Sequence, residues 1–109
     1  MNDPLAKPQS GARVYISGPM TGKDNHNIEA FNAAKKLLVD AGYNAVNPVD
    51  INNLLTNQQR QNYSECLRYD FKELVDCDCI YMLKGWQYSN GARIELDIAL
   101  NLGLTVFFE

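Results

Sequence analysis

The chemistry-bearing stretch of this chain lies near its C-terminus, in Gly85-Trp86-Gln87-Tyr88-Ser89-Asn90-Gly91-Ala92-Arg93-Ile94-Glu95-Leu96. It joins a tight polar turn to the first turns of a helix and aims one carboxylate, Glu95, back at that turn. The Ser89 hydroxyl, the flexible backbone at Gly91 and the free amides of a helix start can hold an anion or a sugar hydroxyl. Glu95 would then face the bound group as a nucleophile. The same residues also allow a plainer arrangement, with Ser89 only capping the helix and Glu95 a surface charge.

Other capable residues are spread along the chain. Tyr15 and Ser17 end a short apolar run, and Gly18, Pro19 and Met20 follow them. Gly18 would let a ligand approach the backbone closely. Gly18 to Gly22 is no Walker loop, because no Gly-Lys-Ser/Thr follows, and no Gly-x-Gly-x-x-Gly fingerprint is present. Asp70 falls inside a helical stretch, where a charge is ordinarily solvated. Trp86 can stack on a base, and His26, the single histidine, can contact an anion. Cys66, Cys77 and Cys79 suggest no disulfide framework. Cys77-Asp78-Cys79 with one histidine falls short of a zinc site, so buried, reduced thiols at a strand entrance are expected, with no metal and no organic cofactor.

These residues need elements to position them. Arg13 to Ser17 reads as a short apolar strand stopped by Gly18-Pro19. Ile28 to Ala41 reads as a helix, with Ala30, Phe31, Ala34, Leu37, Leu38 and Ala41 at helical spacing, Asn27 as its N-cap and Gly42 after its end. Asn44 to Val46 is a strand that Asn47-Pro48 breaks. Val49 to Asn62, rich in Asn and Gln, gives little pattern beyond a helical turn at Ile51 to Leu55. Tyr63 to Val75 is expected to be helical, Asp78 to Leu83 a strand, Ala92 to Leu102 a helix and Thr105 to Phe108 a last strand. Residues 1–12 read as a flexible leader and 13–109 as one domain.

Alternation of strands and helices implies right-handed crossovers and an α/β fold. The expected architecture is a three-layer flavodoxin-like or Rossmann-like sandwich with a short, mostly parallel four-stranded sheet. Ligands in such sheets bind at the carboxyl ends of the strands. The loops Ser17 to His26, Asn47 to Asp50 and Lys84 to Gly91 gather on that edge.

At 109 residues, 46% hydrophobic and 21% charged, the chain fits one ordinary globular domain. A formal net charge of -3 argues against a nucleic-acid polymer as partner, but not against a single nucleotide in a locally positive pocket. No apolar run reaches membrane-span length and no signal-peptide core is visible, so a cytoplasmic protein is expected.

Val14-Tyr15-Ile16-Ser17-Gly18-Pro19-Met20-Thr21-Gly22, then Asn27, Ala30-Phe31-Asn32, Gly42-Tyr43, Asn47-Pro48, Gly85-Trp86, Ser89, Gly91-Ala92 and Glu95 carry a resemblance. It covers the chain from about Arg13 onward. The chain resembles a group of small phage and bacterial proteins of unknown function within the nucleoside 2-deoxyribosyltransferase-like superfamily. The resemblance implies that Glu95 is the nucleophile that attacks C1′ of a deoxyribose. It implies that Asp70 contacts the base and assists its departure, and that Tyr15 hydrogen-bonds the nucleophile. Ser89 stands where transferases acting on free nucleosides tend to carry Asp and where 5′-monophosphate N-hydrolases carry Ser. That tilts the expectation toward a monophosphate, with Ser17, Gly18 and the amides near Gly91 as phosphate donors.

The implied activity is cleavage of the N-glycosidic bond of a 2′-deoxynucleoside 5′-monophosphate or deoxynucleoside, by hydrolysis or deoxyribosyl transfer. For such chemistry the two carboxyls should titrate apart, with Asp70 elevated and Glu95 ionised near neutrality. The alternatives are an NAD-type glycohydrolase, disfavoured by the lack of a second nucleotide-binding patch, and a non-catalytic nucleotide-binding module. Asp97 departs from the superfamily's glycine and is either a second acid near the site or a solvated charge. Larger members complete a neighbour's site with a longer C-terminus. A homodimer of this chain would instead draw on Tyr63 to Tyr69.

Overall fold

The computed structural model describes residues 11–109. Its elements run β1 (Arg13–Ser17), α1 (Ile28–Asp40), β2 (Asn44–Val46), α2 (Pro48–Leu54), α3 (Asn57–Arg60), α4 (Tyr63–Val75), β3 (Cys79–Met82), α5 (Asn90–Asn101) and β4 (Thr105–Phe108). Most of the expected leader, Met1 to Ser10, lies outside the described residues. Of its last two residues, Gly11 donates its amide to the Gly42 carbonyl at 2.8 Å, and Ala12 accepts from the Asn44 amide and packs on the core.

The four strands form one sheet in the order β2-β1-β3-β4, and every neighbouring pair is parallel. β1 sits centrally, with Tyr15 opposite Ile80 and Ser17 opposite Met82 in β3. The chain leaves β1 toward β2 on one side and then crosses to β3 on the other. The switch in strand order therefore falls between β1 and β3, where a crevice opens at the carboxyl ends of the strands.

Strand side chains alternate between the two faces. Val14 and Ile16 point to the face covered by α1, where Phe31, Ala34 and Leu38 form its buried stripe. Tyr15 points to the opposite face, against Leu74 of α4 and Ala92 and Ala99 of α5. Each large side chain so buried contributes roughly 1.5–3 kcal/mol. Helices thus cover both faces, which is why the strands read as apolar runs rather than alternations.

The region after β2 differs from the expectation. Asn47 does not simply break the strand. Its side-chain oxygen accepts from the Val49 amide at 3.1 Å and caps α2, with Pro48 in the first turn, where its missing N–H costs nothing. α3 follows behind a capping box formed by Thr56 and Gln59. Asn27 precedes α1 as expected, but its side chain caps nothing there and instead donates to the Pro19 carbonyl at 3.0 Å. Leu37, despite its spacing, is exposed.

Candidate active site

α5 begins where Ser89 Oγ accepts from the Ala92 amide at 3.2 Å. Ala92, Glu95 and Ala99 then fall on one face of the helix, and all three are buried. Glu95 thus occupies a position on an otherwise apolar stripe, packed toward the sheet and only 6% exposed. The surface-charge arrangement for this residue is ruled out by that burial. A carboxylate taken out of water is costly unless it is hydrogen-bonded. Tyr15 Oη donates to Glu95 Oε2 at 2.5 Å and Ser17 Oγ donates to Glu95 Oε1 at 2.7 Å. Because β1 alternates, these two hydroxyls share the face that α5 covers, and they saturate one lone pair on each carboxylate oxygen.

Burial lifts the Glu95 carboxyl to about 7, opposed by the hydrogen bonds from Tyr15 and Ser17, which favour the charged form. Asp70 stands on α4 across the same space. Burial, and then the negative charge of Glu95, push its carboxyl up to about 8. Its Oδ1 is buried without a hydrogen-bond partner. The two acids titrate as a coupled pair. Glu95, which has two donors, ionises first, and Asp70, which has none, keeps its proton longer. The expected elevation of Asp70 is therefore present, whereas Glu95 is not comfortably ionised: burial brings its titration up to neutrality. Tyr15 is held well above the ordinary phenol range, first by burial and then by Glu95 and Asp70, so it remains a donor.

The two acids share a cleft of about 920 Å³ at the β1–β3 switch point. Gly18, Pro19 and Met20 form one wall, Ser89 and Gly91 another, and residues of α2 and α4 the third. Of the residues singled out from the sequence, Glu95, Asp70, Gly18, Pro19, Met20, Ser89 and Gly91 meet there. Ser17 does not line the cleft. At 1% exposure it lies beneath Glu95 and spends its proton on that carboxylate, so a direct phosphate contact is replaced by a supporting one. Trp86 does not line it either, because its ring packs on Phe108 at a centroid distance of 5.8 Å in the apolar layer below α5.

Gly18 lines the cleft, yet its lack of a side chain has another reason. A Cβ there would lie 2.7 Å from Leu83 Cβ. The glycine is required by packing of the first loop against the end of β3. His26 reaches the rim from a run of left-handed residues, Asn25, His26 and Asn27, with φ of 49°, 53° and 63°. Asp97 faces solvent and accepts from Asn101 on its own helix. Cys77 and Cys79 are buried free thiols, and Cys66 is half-buried in the cleft wall.

Sequence reasoning missed the α2–α3 wall, where Asn52, Arg60 and Gln61 line the cleft. The available signal was Asn47-Pro48, a cap followed by a first-turn proline, which announces a helix. No helix among the described residues is long and apolar enough to cross a membrane.

A parallel four-stranded sheet with helices on both faces and an acidic cleft at the switch point defines a nucleoside 2-deoxyribosyltransferase-like α/β fold. A solved 2-deoxyribosyltransferase from the psychrotolerant bacterium Bacillus psychrosaccharolyticus superposes with a TM-score of 0.71 at 18% identity, over 89% of this chain and 71% of that one. That likeness shows the fold. The chain belongs to the family described as a domain of unknown function (DUF4406), which matches residues 12–108. No protein with a curated description matches it in sequence.

Proposed function

We propose that this protein cleaves the N-glycosidic bond of a 2′-deoxynucleoside 5′-monophosphate or deoxynucleoside, with Glu95 as nucleophile. The observation that carries this reading is a carboxylate buried on an apolar helix face, held by Tyr15 and Ser17, opposite a second acid in one cleft. A surface role would not need that desolvation.

In the proposed first step a Glu95 oxygen attacks C1′ of the sugar. The C1′–N bond breaks, its electron pair goes to the base, and the Asp70 proton is delivered to the departing base. Charge building at C1′ is offset by the adjacent carboxylate, as in a retaining glycosidase. In the second step water, or the nitrogen of another base, attacks C1′ and gives its proton to Asp70. Glu95 then leaves as a carboxylate, again met by the Tyr15 and Ser17 hydroxyls. Water as acceptor makes the enzyme an N-hydrolase, and a base makes it a deoxyribosyltransferase.

The start of α5 supports a monophosphate. Ser89, Asn90 and Gly91 line the cleft at that helix start, and a helix start favours an anion. An aspartate at that position would repel a phosphate dianion. The reading includes a cytoplasmic setting and a homodimer using the exposed Tyr63 and Tyr69 of α4.

The test is incubation with dAMP, dGMP, dCMP, dTMP and the corresponding nucleosides, with free base followed by chromatography. Base release by the wild type and its loss in Glu95→Ala are expected. Release that survives Glu95→Ala removes the nucleophile. Tight binding of the same compounds without turnover would instead favour a nucleotide-binding module.

A further inference from the structure

Ser17 ends β1 with its two polar groups committed in different directions. Its carbonyl accepts from the Leu83 amide at 2.8 Å, at the end of the ladder with β3. Its hydroxyl donates to Glu95 Oε1 at 2.7 Å and, among the described residues, makes no other hydrogen bond. A hydroxyl at a buried strand position is costly unless paired, and Glu95 is its one partner. Ser17 is only 1% exposed and does not line the cleft, so whatever it does for the site it does through Glu95.

The strength of that pair depends on the state of Glu95. A hydrogen bond to a carboxylate is roughly twice as strong as one to a neutral acceptor. In the free enzyme of the proposed reaction Glu95 offers an anionic oxygen. In the glycosyl-enzyme the same side chain is a neutral ester, and the bond from Ser17 is weak. When water attacks C1′, the C1′–O bond to Glu95 breaks, its electron pair returns to the carboxylate, and the water proton passes to Asp70. The Ser17 bond regains strength as that charge develops. During attack on the substrate the change runs the other way. The hydroxyl therefore works against formation of the ester and for its breakdown. Tyr15 acts in the same direction on Oε2, but its ring also packs in the core with Leu74 and Ala92. Ser17 is the donor that can be removed with the smaller change in packing.

We infer that Ser17 is a positioning residue that shortens the life of the glycosyl-enzyme, by holding Glu95 in the form in which it leaves C1′. The inference rests on the N-glycosidic reading of the site and deepens it, because it assigns a buried residue to the second half of the reaction. Ser17 touches neither sugar nor base.

The experiment mixes wild type, Ser17→Ala and Ser17→Cys with dAMP, dGMP, dCMP and dTMP at neutral pH and quenches samples in acid. Intact-protein mass spectrometry reads the fraction carrying a deoxyribosyl-phosphate adduct, and rapid removal of free nucleotide and base then gives the rate of adduct decay. Decay should be slower in Ser17→Ala by about 5–10-fold, the extra strength of a hydrogen bond to a charged acceptor. The adduct should also accumulate to a higher fraction during turnover. Ser17→Cys, which keeps a weak donor of similar shape, should fall between the two. An ester carries no proton to titrate, so the decay rate is free of any shift in the Glu95 titration. A purely structural role for Ser17 would lower the melting temperature and the overall turnover and leave the decay rate unchanged. Decay in Ser17→Ala that is equal to or faster than wild type overturns the inference, while base release leaves the glycosidic reading standing. Base release with no adduct in either wild type or Ser17→Ala also overturns it. No base release by the wild type removes the glycosidic reading itself, and the inference with it.

Discussion

Tyr15 and Glu95 lie 80 residues apart in the chain and meet at 2.5 Å, the phenol of a central strand donating to a carboxylate of the last helix. The contact ties the strand that ends at the cleft to the helix that supplies its acid. It also shows how the fold tolerates a buried charge: the donor comes from a strand position whose side chain the pleat directs toward α5. Removing the donor should therefore act on Glu95 and not on the cleft's shape. Tyr15→Phe is expected to raise the Glu95 carboxyl further above about 7, because a bond that favours the charged form is lost. In a pH–rate profile the acidic limb should move to higher pH, and kcat/KM at pH 7 should fall by about 10-fold or more. An acidic limb that stays in place contradicts this account of Tyr15.

The two acids define a narrow working window. In the proposed mechanism the productive form has Glu95 ionised and Asp70 protonated. With the two titrations near 7 and 8, kcat/KM should trace a bell with its maximum between them. Asp70→Asn should lower the rate by about 10²–10⁴-fold, the usual contribution of a general acid, and remove the limb on the alkaline side. Persistence of that limb in Asp70→Asn assigns it to another group.

The same groups make stability fall as pH rises. Both carboxyls are raised above their ordinary values of 4.5 and 3.8, so the folded protein binds more protons than the unfolded chain between about 4 and 8. Stability from this source is complete below the ordinary values and is lost as pH climbs through the folded ones. Glu95→Gln, which removes the charge and keeps the shape, is expected to raise the melting temperature at pH 8 and leave it little changed at pH 4. The gain should be about 1–3 kcal/mol, since each tenfold change in proton affinity is worth roughly 1.4 kcal/mol and relaxation around the side chain recovers part of it. A variant that melts lower at pH 8 would mean that Glu95 is a net stabiliser and not a desolvated acid retained for function.

Gly18 offers a test of packing against ligand approach. Gly18→Ala places a methyl 2.7 Å from Leu83 Cβ, and a clash of that kind costs about 1–3 kcal/mol. Chemical denaturation should show that loss. Most of it should return in Gly18→Ala combined with Leu83→Gly, which removes the Cβ, measured against Leu83→Gly alone. An undiminished cost in the double variant would mean that backbone conformation, not Leu83, demands the glycine.

Much of this arrangement is legible in the sequence where a residue's local pattern and its tertiary role agree. The helices at Ile28 and Tyr63 and the strands around them follow from periodicity, and the parallel sheet follows from their order. Glu95 and Asp70 are visible through resemblance, because spacing alone gives a carboxylate on a helix no reason to be buried. What escapes depends on neighbours. Trp86 follows a strand into a polar turn, where nothing local reveals that Phe108, the penultimate residue, will cover its ring. Ser17 reads as a ligand donor because the partner that claims its proton is 78 residues away. Asn52 carries no signal in an Asn- and Gln-rich stretch, and only the folded chain places it in the cleft wall.

The central claim is that Glu95 forms a bond to the sugar carbon, and the direct measurement is peptide mass spectrometry of protein mixed with deoxynucleotides and quenched in acid during turnover. The account predicts a deoxyribosyl or deoxyribosyl-phosphate adduct on the peptide containing Glu95, absent in Glu95→Gln and accompanied by free base. Base release with the adduct on another residue, or release undiminished in Glu95→Gln, would contradict it.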